Sequence, residues 1–468
     1  MATDRELTFV DLPAQVARVL RTLGDAGHEA ALVGGVVRDR LRGESVRETD
    51  DWDAATSARP EEVAALFADA TWENRFGTVT IMGRPKVEVT SYRTEGGYRD
   101  RRRPDEVRFG ASLTEDLARR DFTINALAWI PTDLEAGRGR AIDPFDGAAD
   151  LEAGLLRTVG DPRERFGEDA LRLVRAARFA GRLGLAIEPE TEAAIRELAP
   201  TVATVSAERI RDELLRMLDD AAPSAALRLL ERWGLLSLIL PELTALRGVP
   251  QAKLVPGDAL DHALASVDAA PAGDPALRLA ALLHDVGKAT TLADGHFIGH
   301  DRVGAELAAL ALHRLRMPAP VSGPAVHAIG HHMYAYDGTW TDAAVRRFIR
   351  RVGNSGMSLL FALRRADNIA SGVGPAGETN QVELERRIAR ELERSPDVLI
   401  RNRLAIDGND LQRELGWDAG PRIGRELDRL MEVVLDDPSL NRHEVLLELA
   451  RAADAKAVTE RTGAEADG

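Results

Sequence analysis

At 468 residues the chain is longer than one ordinary hydrophobic core accommodates, so roughly two to four domains are expected. Its 44% hydrophobic and 29% charged residues read as a soluble globular protein without a membrane span, and the absence of cysteine excludes disulfides and thiolate ligands, leaving carboxylate or imidazole to hold any metal. The net charge of −15 argues against a nucleic-acid partner until its distribution is considered: from Arg99 to Arg182, 16 Arg stand against 16 Asp and Glu with no Lys, and the planar Arg fork suits phosphates and base edges.

The chain opens Met-Ala-Thr-Asp-Arg-Glu, which lacks the basic and apolar regions of a secretory signal, so a cytoplasmic location is expected. An amphipathic helix fits Leu12 to Ala26, followed by a strand from Ala30 to Val33. Gly34-Gly35 then open a helix to about Leu41. Asp51 to Ala55 reads as a strand, and Pro60 starts a helix through Phe67. Thr78 to Met82 and Lys86 to Ser91 form a hairpin turning at Gly83-Arg84-Pro85, with Val87 and Val89 facing one way and Glu88 the other.

Beyond about residue 155 the pattern is almost wholly helical. It is punctuated at Gly160-Asp161-Pro162, between Gly248 and Gly257, and from Pro271 to Pro275. The second of these is the best candidate linker. A last helical segment follows Gly372 to Gly377, and the tail after about 455 reads as disordered.

Asp51-Trp52-Asp53 sets two carboxylates one residue apart on a strand, hence on one face. Such a pair is costly without a cation, and hard oxygen ligands select Mg²⁺. Two such ions clamp the attacking and leaving oxygens of an in-line phosphoryl displacement. Upstream, Gly34 and Gly35 permit close backbone approach, amides at a helix start bind phosphate, and Arg38 is placed to reach the same phosphates. Glu88 is a candidate third carboxylate. Further on, Arg172, Arg175, Arg178 and Arg182 recur at spacings that align them on one helix face, with Asp169 one turn before Arg172.

Gly34 to Asp39 followed by Asp51-x-Asp53 resembles the head signature of the class II tRNA nucleotidyltransferase and poly(A) polymerase family. Four further blocks follow in order. Arg119 to Ala126 resembles the ribose- and phosphate-contacting segment, and Asp143-Pro144-Phe145-Asp146-Gly147 with Asp150-Leu151 resembles the hinge between head and neck. Arg165 to Arg172 resembles the nucleotide-selecting helix, and Ser206 to Ile210 with Glu213 resembles the last neck motif. The resemblance implies catalytic, metal-holding Asp51 and Asp53, and nucleotide contacts at Gly34, Gly35, Arg38, Arg120, Asp121 and Asn125. It implies that Asp169 accepts from the exocyclic amine of C or A while Arg172 donates to the base edge, with Arg175 and Arg178 on the triphosphate or primer end.

Residues 258–370 carry His262, His284-Asp285 and Asp367, in an order that resembles the HD phosphohydrolase superfamily and its divalent metals. His300 and one of His331 or His332, taken as His331, fall where two-metal members add ligands. The loop Arg93 to Pro104 is flexible and basic in composition.

The fold expected is α+β: a polymerase-β-like nucleotidyltransferase head with a mixed sheet over 1–155, then an all-helical neck (156–250), HD domain (251–375) and helical tail (376–468). The activity implied is addition of C and A to the 3′ end of tRNA, from CTP and ATP with Mg²⁺ and no membrane involvement, with a second divalent site in the HD domain. Open alternatives are a poly(A) polymerase or partial-CCA enzyme, and an HD-type phosphohydrolase as the main activity.

Overall fold

The computed structural model describes residues 5–45, 47, 51–72, 77–96, 106–251, 253–373, 375–399 and 403–466. They fall into two compact units, Met1–Thr244 with Arg314–Arg316, and Ala245–His313 with Met317–Gly468.

The first unit begins with an α+β head. Its strands are β1 (Arg5–Thr8), β2 (Ala30–Val33), β3 (Trp52–Thr56), β4 (Ala70–Thr71), β5 (Thr78–Ile81), β6 (Val87–Ser91), β7 (Arg93–Gly96), β8 (Glu106–Phe109), β9 (Ala128–Asp133) and β10 (Arg138–Ile142). Eight of them form a sheet in the order β1-β10-β9-β2-β3-β6-β5-β4. Only β3 and β6 run parallel; the other neighbours are antiparallel, so the sheet is mixed as expected.

Helix α1 (Ala14–Asp25) places Val16, Val19, Leu20 and Leu23 on one stripe at the spacing of a helix face. That stripe packs with Val36 and Val37 of α2 (Gly35–Leu41), Val63 of α3 (Pro60–Leu66), and Trp52, Ala54 and Val79 of the sheet. Full burial of each such side chain stabilises by about 1.5–3 kcal/mol. The opposite sheet face packs Ala31, Val33, Ala55 and Tyr92 with Leu113 and Leu117 of α4 (Leu113–Ala118). Alternation along β3 therefore seats Trp52 and Ala54 in one core and turns Asp53, with Ala55, to the other side.

The start of the expected basic loop is a strand. Arg93 to Gly96 is strand β7, paired antiparallel with β8, and residues 97–105 lie outside the described residues. After α5 (Gly147–Glu152) the unit continues as helices α6 (Pro162–Glu168), α7 (Leu171–Leu183), α8 (Pro189–Leu198) and α9 (Ala207–Leu218). Asp161 caps α6, its Oδ1 accepting from Arg163 N–H at 2.7 Å, and Pro162 fills the first turn, where no N–H is needed.

The second unit is helical apart from the short pair Leu292–Ala293 and His296–Phe297. The segment read as a linker is tied down: Gly248 N–H donates to Asp258 at 2.7 Å and Ala259 N–H to Val249 at 2.9 Å. The tail, expected to be disordered, is helical from His443 to Ala466. Leu446, Leu447 and Ala450 anchor that helix in a buried cluster, and its Ala, Glu and Lys continuation favours extension of the turns.

Candidate active site

Asp53 and Glu88 stand opposite each other in the β3–β6 register. Asp51 lies exposed just ahead of β3. Burial pushes the Asp53 carboxyl up to about 6 from 3.8; Arg120 opposes the rise, while Glu88 and Asp51 add to it. Glu88 is itself engaged by Lys86 at 2.7 Å. An all-oxygen group whose central carboxyl is held toward its protonated form by burial and two neighbouring acids is what a hard divalent cation relieves, so these residues fit one.

The sign of the pH effect follows. Between about 3.8 and 6 the folded metal-free chain binds more protons at Asp53 than the unfolded chain, so ionisation weakens the fold as pH rises through about 6. Mg²⁺ is expected to raise the melting temperature more at about pH 7.5 than at about pH 5. Thermal scans of Asp53→Asn should lose that difference.

Gly34 caps the start of α2 with φ 74°, a left-handed conformation that side chains resist. A Cβ there would lie 3.0 Å from Nη1 of Arg120. Gly34→Ala is expected to destabilise by about 1–2 kcal/mol, read as a lower denaturation midpoint at unchanged slope.

The glycine turn leads into a buried polar relay. Arg38, 3% exposed, donates to Asp39 and, from Nη1, to Asn125 Oδ1 at 2.7 Å. Asn125 Nδ2 donates to Asp121 Oδ1 at 3.2 Å, and Arg175 of α7 donates to Asp121 Oδ2 at 2.7 Å. Burial would raise the Asp121 carboxyl, but Arg175 and Arg172 more than offset it and hold it at about 2. Arg175 also reaches Glu213 of α9 at 3.4 Å, and Arg178 binds Glu213 at 2.6 Å while lying 4.2 Å from the Phe179 ring centroid. Arg38, Arg175 and Arg178 were read as phosphate or primer contacts. In the structure all three also bind side chains of the protein: Arg38 those of Asp39 and Asn125, Arg175 those of Asp121 and Glu213, and Arg178 that of Glu213.

Asp169 and Arg172 do not pair with each other. Asp169 precedes α7 and accepts a two-pronged contact from Arg209 of α9, at 3.0 and 2.6 Å, together with Leu171 N–H at 3.1 Å. Arg172 donates to Glu168, to Arg165 O at 2.8 Å and to Arg119 O at 3.1 Å. Three of its five N–H groups are thereby committed, leaving others for a ligand. The hinge motif is local architecture: Asp143 accepts from Gly147 and Ala148 N–H at 2.8 and 2.9 Å, and a Cβ on Gly147 would strike the Thr123 carbonyl at 2.2 Å.

The second unit gathers His262, His284, Asp285, His300, His332 and Asp367. His262 Nε2 lies 3.1 Å from Asp367 Oδ1, His284 Nε2 3.2 Å from Asp285 Oδ2, and His300 and His332 Nε2 3.4 and 3.8 Å from Asp285 Oδ1. Backbone carbonyls fix three rings through Nδ1: Ala281 O to His284 at 2.9 Å, Phe297 O to His300 at 2.7 Å and Ile329 O to His332 at 2.7 Å. In a neutral ring an Nδ1–H donor leaves Nε2 as a lone pair for a metal; burial opposes the charged form of His284 but Asp285 raises its pKa, and His300 Nε2 is buried without a hydrogen bond. Burial and His284 push His332 down to about 3, which keeps it neutral. These donors fit a divalent metal. His331, expected here, is displaced: helix Ala319–His331 ends with its ring 4.4 Å from His327, and the next residue, His332, turns into the cluster.

Residues 30–157 match the poly A polymerase head domain, 184–246 the probable RNA and SrmB-binding site of polymerase A, and 266–391 the HD domain. The chain thus carries, in this order, matches to a poly(A) polymerase-type head, its RNA-binding region and an HD domain. It is 50% identical over 201 residues to a CCA-adding enzyme of Lactobacillus helveticus, covering 42% of this chain and 48% of that one. To that of Lactiplantibacillus plantarum it is 47% identical over 228 residues, covering 47% and 53%. The chain thus spans about half the length of the curated relatives it matches. The crystal structure of the Bacillus stearothermophilus CCA-adding enzyme in complex with CTP is 28% identical, with a TM-score of 0.68 over 94% of this chain and 98% of that one.

The poly(A) polymerase-type head and the HD domain are families of metal-dependent chemistry, and the two His and Asp groups of the second unit could each hold a metal. Sequence reasoning passed over Arg209, Glu168 and Lys253. The block containing Arg209 offered a signal, since a motif Arg beside a conformationally placed acid invites a pairing test. No helix among the described residues is long and apolar enough to cross a membrane.

Proposed function

We propose that the chain adds C and A nucleotides to the 3′ end of tRNA, taking CTP and ATP and releasing pyrophosphate, in the cytoplasm. The observation that carries this reading is the Arg209-held Asp169 beside a partly uncommitted Arg172. Asp169 accepts from the exocyclic amine shared by cytosine and adenine, and Arg172 donates to the ring edge. Uracil and guanine present a carbonyl at that point, which strands Asp169 against an acceptor at a cost of about 1–3 kcal/mol. The CTP complex of the Bacillus stearothermophilus relative supports the nucleotide class.

The primer 3′-hydroxyl attacks the α-phosphate in line, and the α–β bond breaks as pyrophosphate leaves. Asp51 and Asp53 hold Mg²⁺, which when bound supplies Lewis-acid activation of the hydroxyl and charge neutralisation at the leaving group. Gly34 and Gly35 bring the triphosphate close to the backbone, and the Asp121–Asn125 relay fixes that turn against α7. The division of labour follows the boundaries 1–155 for transfer, 156–250 for nucleotide selection and RNA binding, 251–375 for the HD centre and 376–468 for the tail. The converging Nε2 atoms favour a second activity in the HD domain, metal-dependent phosphoester hydrolysis.

Incubation with tRNA lacking its 3′ end, Mg²⁺ and labelled CTP or ATP, alone and together, tests the reading. Defined CCA ends are expected. Long A tails would assign a poly(A) polymerase instead, and phosphate release without incorporation would make the hydrolase the main activity.

A further inference from the structure

The segment between Val249 and Ala259 sends Lys253 into the histidine cluster. Its ammonium lies 2.9 Å from Asp367 Oδ1, 2.8 Å from Ser371 Oγ and 3.2 Å from His262 Nε2. An ammonium has three donors and no acceptor; here it donates to Asp367 Oδ1 and Ser371 Oγ and lies against the His262 ring nitrogen. Asp367 and His262 both belong to the ligand group His262, His284 and Asp367. The other group, Asp285, His300 and His332, is different. Lys288 binds Asp285 through Oδ2 at 2.6 Å and is further held by Gln251 at 2.8 Å, whereas His300 and His332 face Oδ1. Each group holds a buried ring nitrogen without a hydrogen bond, His262 Nδ1 in the first and His300 Nε2 in the second, and in the second that nitrogen faces the carboxylate, 3.4 Å from Asp285 Oδ1.

We propose that Lys253 serves as a built-in cation at the first ligand group, so that the HD centre takes a single divalent ion, on Asp285, His300 and His332. The proposal rests on the reading of this cluster as a metal centre. A fixed positive charge on Asp367 neutralises that carboxylate and occupies the approach to His262. A second dication brought there would meet the ammonium at close range in a poorly solvated site. The lysine sits on the stretch that the glycines around it made resemble a spacer, so the limit on metal number is set by a residue outside the HD match of 266–391.

The test is Mn²⁺ stoichiometry on the full chain, by calorimetry and by metal analysis after desalting, with any head-domain binding subtracted using Asp53→Ala. The wild type is expected to hold one Mn²⁺ in the HD centre, with an uncoupled six-line resonance spectrum. Lys253→Met should hold two, with an exchange-coupled spectrum. His300→Ala should lose the single ion, while His262→Ala in the wild-type background should keep it; this second comparison stands if Lys253→Met folds poorly. Two ions in the wild type, or one in a folded Lys253→Met, would overturn the role of Lys253 and leave the metal centre standing. No ion in any variant would overturn both.

Discussion

Asp53→Ala is expected to lower nucleotide incorporation by at least about 10³-fold, with tRNA affinity changed by no more than about twofold. Asp53 is the carboxylate that sits inside the sheet, set by β3 against Glu88, whereas Asp51 approaches from the exposed residue ahead of the strand. Removing the inner group takes away the ligand whose position the sheet fixes. It also leaves Glu88, already paired with Lys86, unable to swing into its place without breaking that contact. The loss should fall on the maximal rate, because Asp169, Arg172 and the neck helices, proposed to read the base and bind RNA, are untouched. Asp53→Asn should behave similarly, since its amide keeps the shape and loses the charge. Single-turnover incorporation beside a filter-binding measurement checks both, and normal turnover in either variant would remove Asp53 from the chemistry.

The largest structural effect is expected at Glu213. This side chain, 2% exposed, accepts from Arg178 at 2.6 Å, Arg175 at 3.4 Å and Arg216 at 3.1 Å. Arg178 is itself 6% exposed, so Glu213→Ala leaves a buried guanidinium without its anion. Breaking a buried pair from one side costs about 3–5 kcal/mol. At about 2–4 °C per kcal/mol for a unit of this size, the melting temperature should fall by about 10 °C. Glu213→Gln keeps an acceptor and should lose less, and a double change of Glu213→Leu with Arg178→Met should recover part of the deficit by removing both charges. A drop under about 2 °C for Glu213→Ala would mean the cluster is screened by water and contributes little.

The head was legible because its signals are local. Alternation around Asp53, the glycine pair before α2 and the apolar stripe of α1 each depend on neighbours within a few residues, and each appears where expected. The Arg face of α7 shows the limit. Its spacing identified the helix, but the acids that bind it, Asp121 and Glu213, arrive from other elements and no pattern within α7 announces them. His331 and His332 differ by one step of rotation at a helix end, which no pattern of composition resolves. Lys253 was hidden for the opposite reason: glycine and proline around it announced a spacer, and only tertiary contacts reveal that its side chain reaches Asp367.

The relay from Arg38 through Asn125, Asp121 and Arg175 to Glu213 makes a further demand on this chain. Every link is a donor facing one specific acceptor, so a change at one end alters what the next group must find. Substitutions at Arg38 of α2 and Glu213 of α9 should therefore be non-additive. A thermodynamic cycle between them would report a coupling energy where independent sites give none. The glycine turn and helices α7 and α9 would then accept change only in concert.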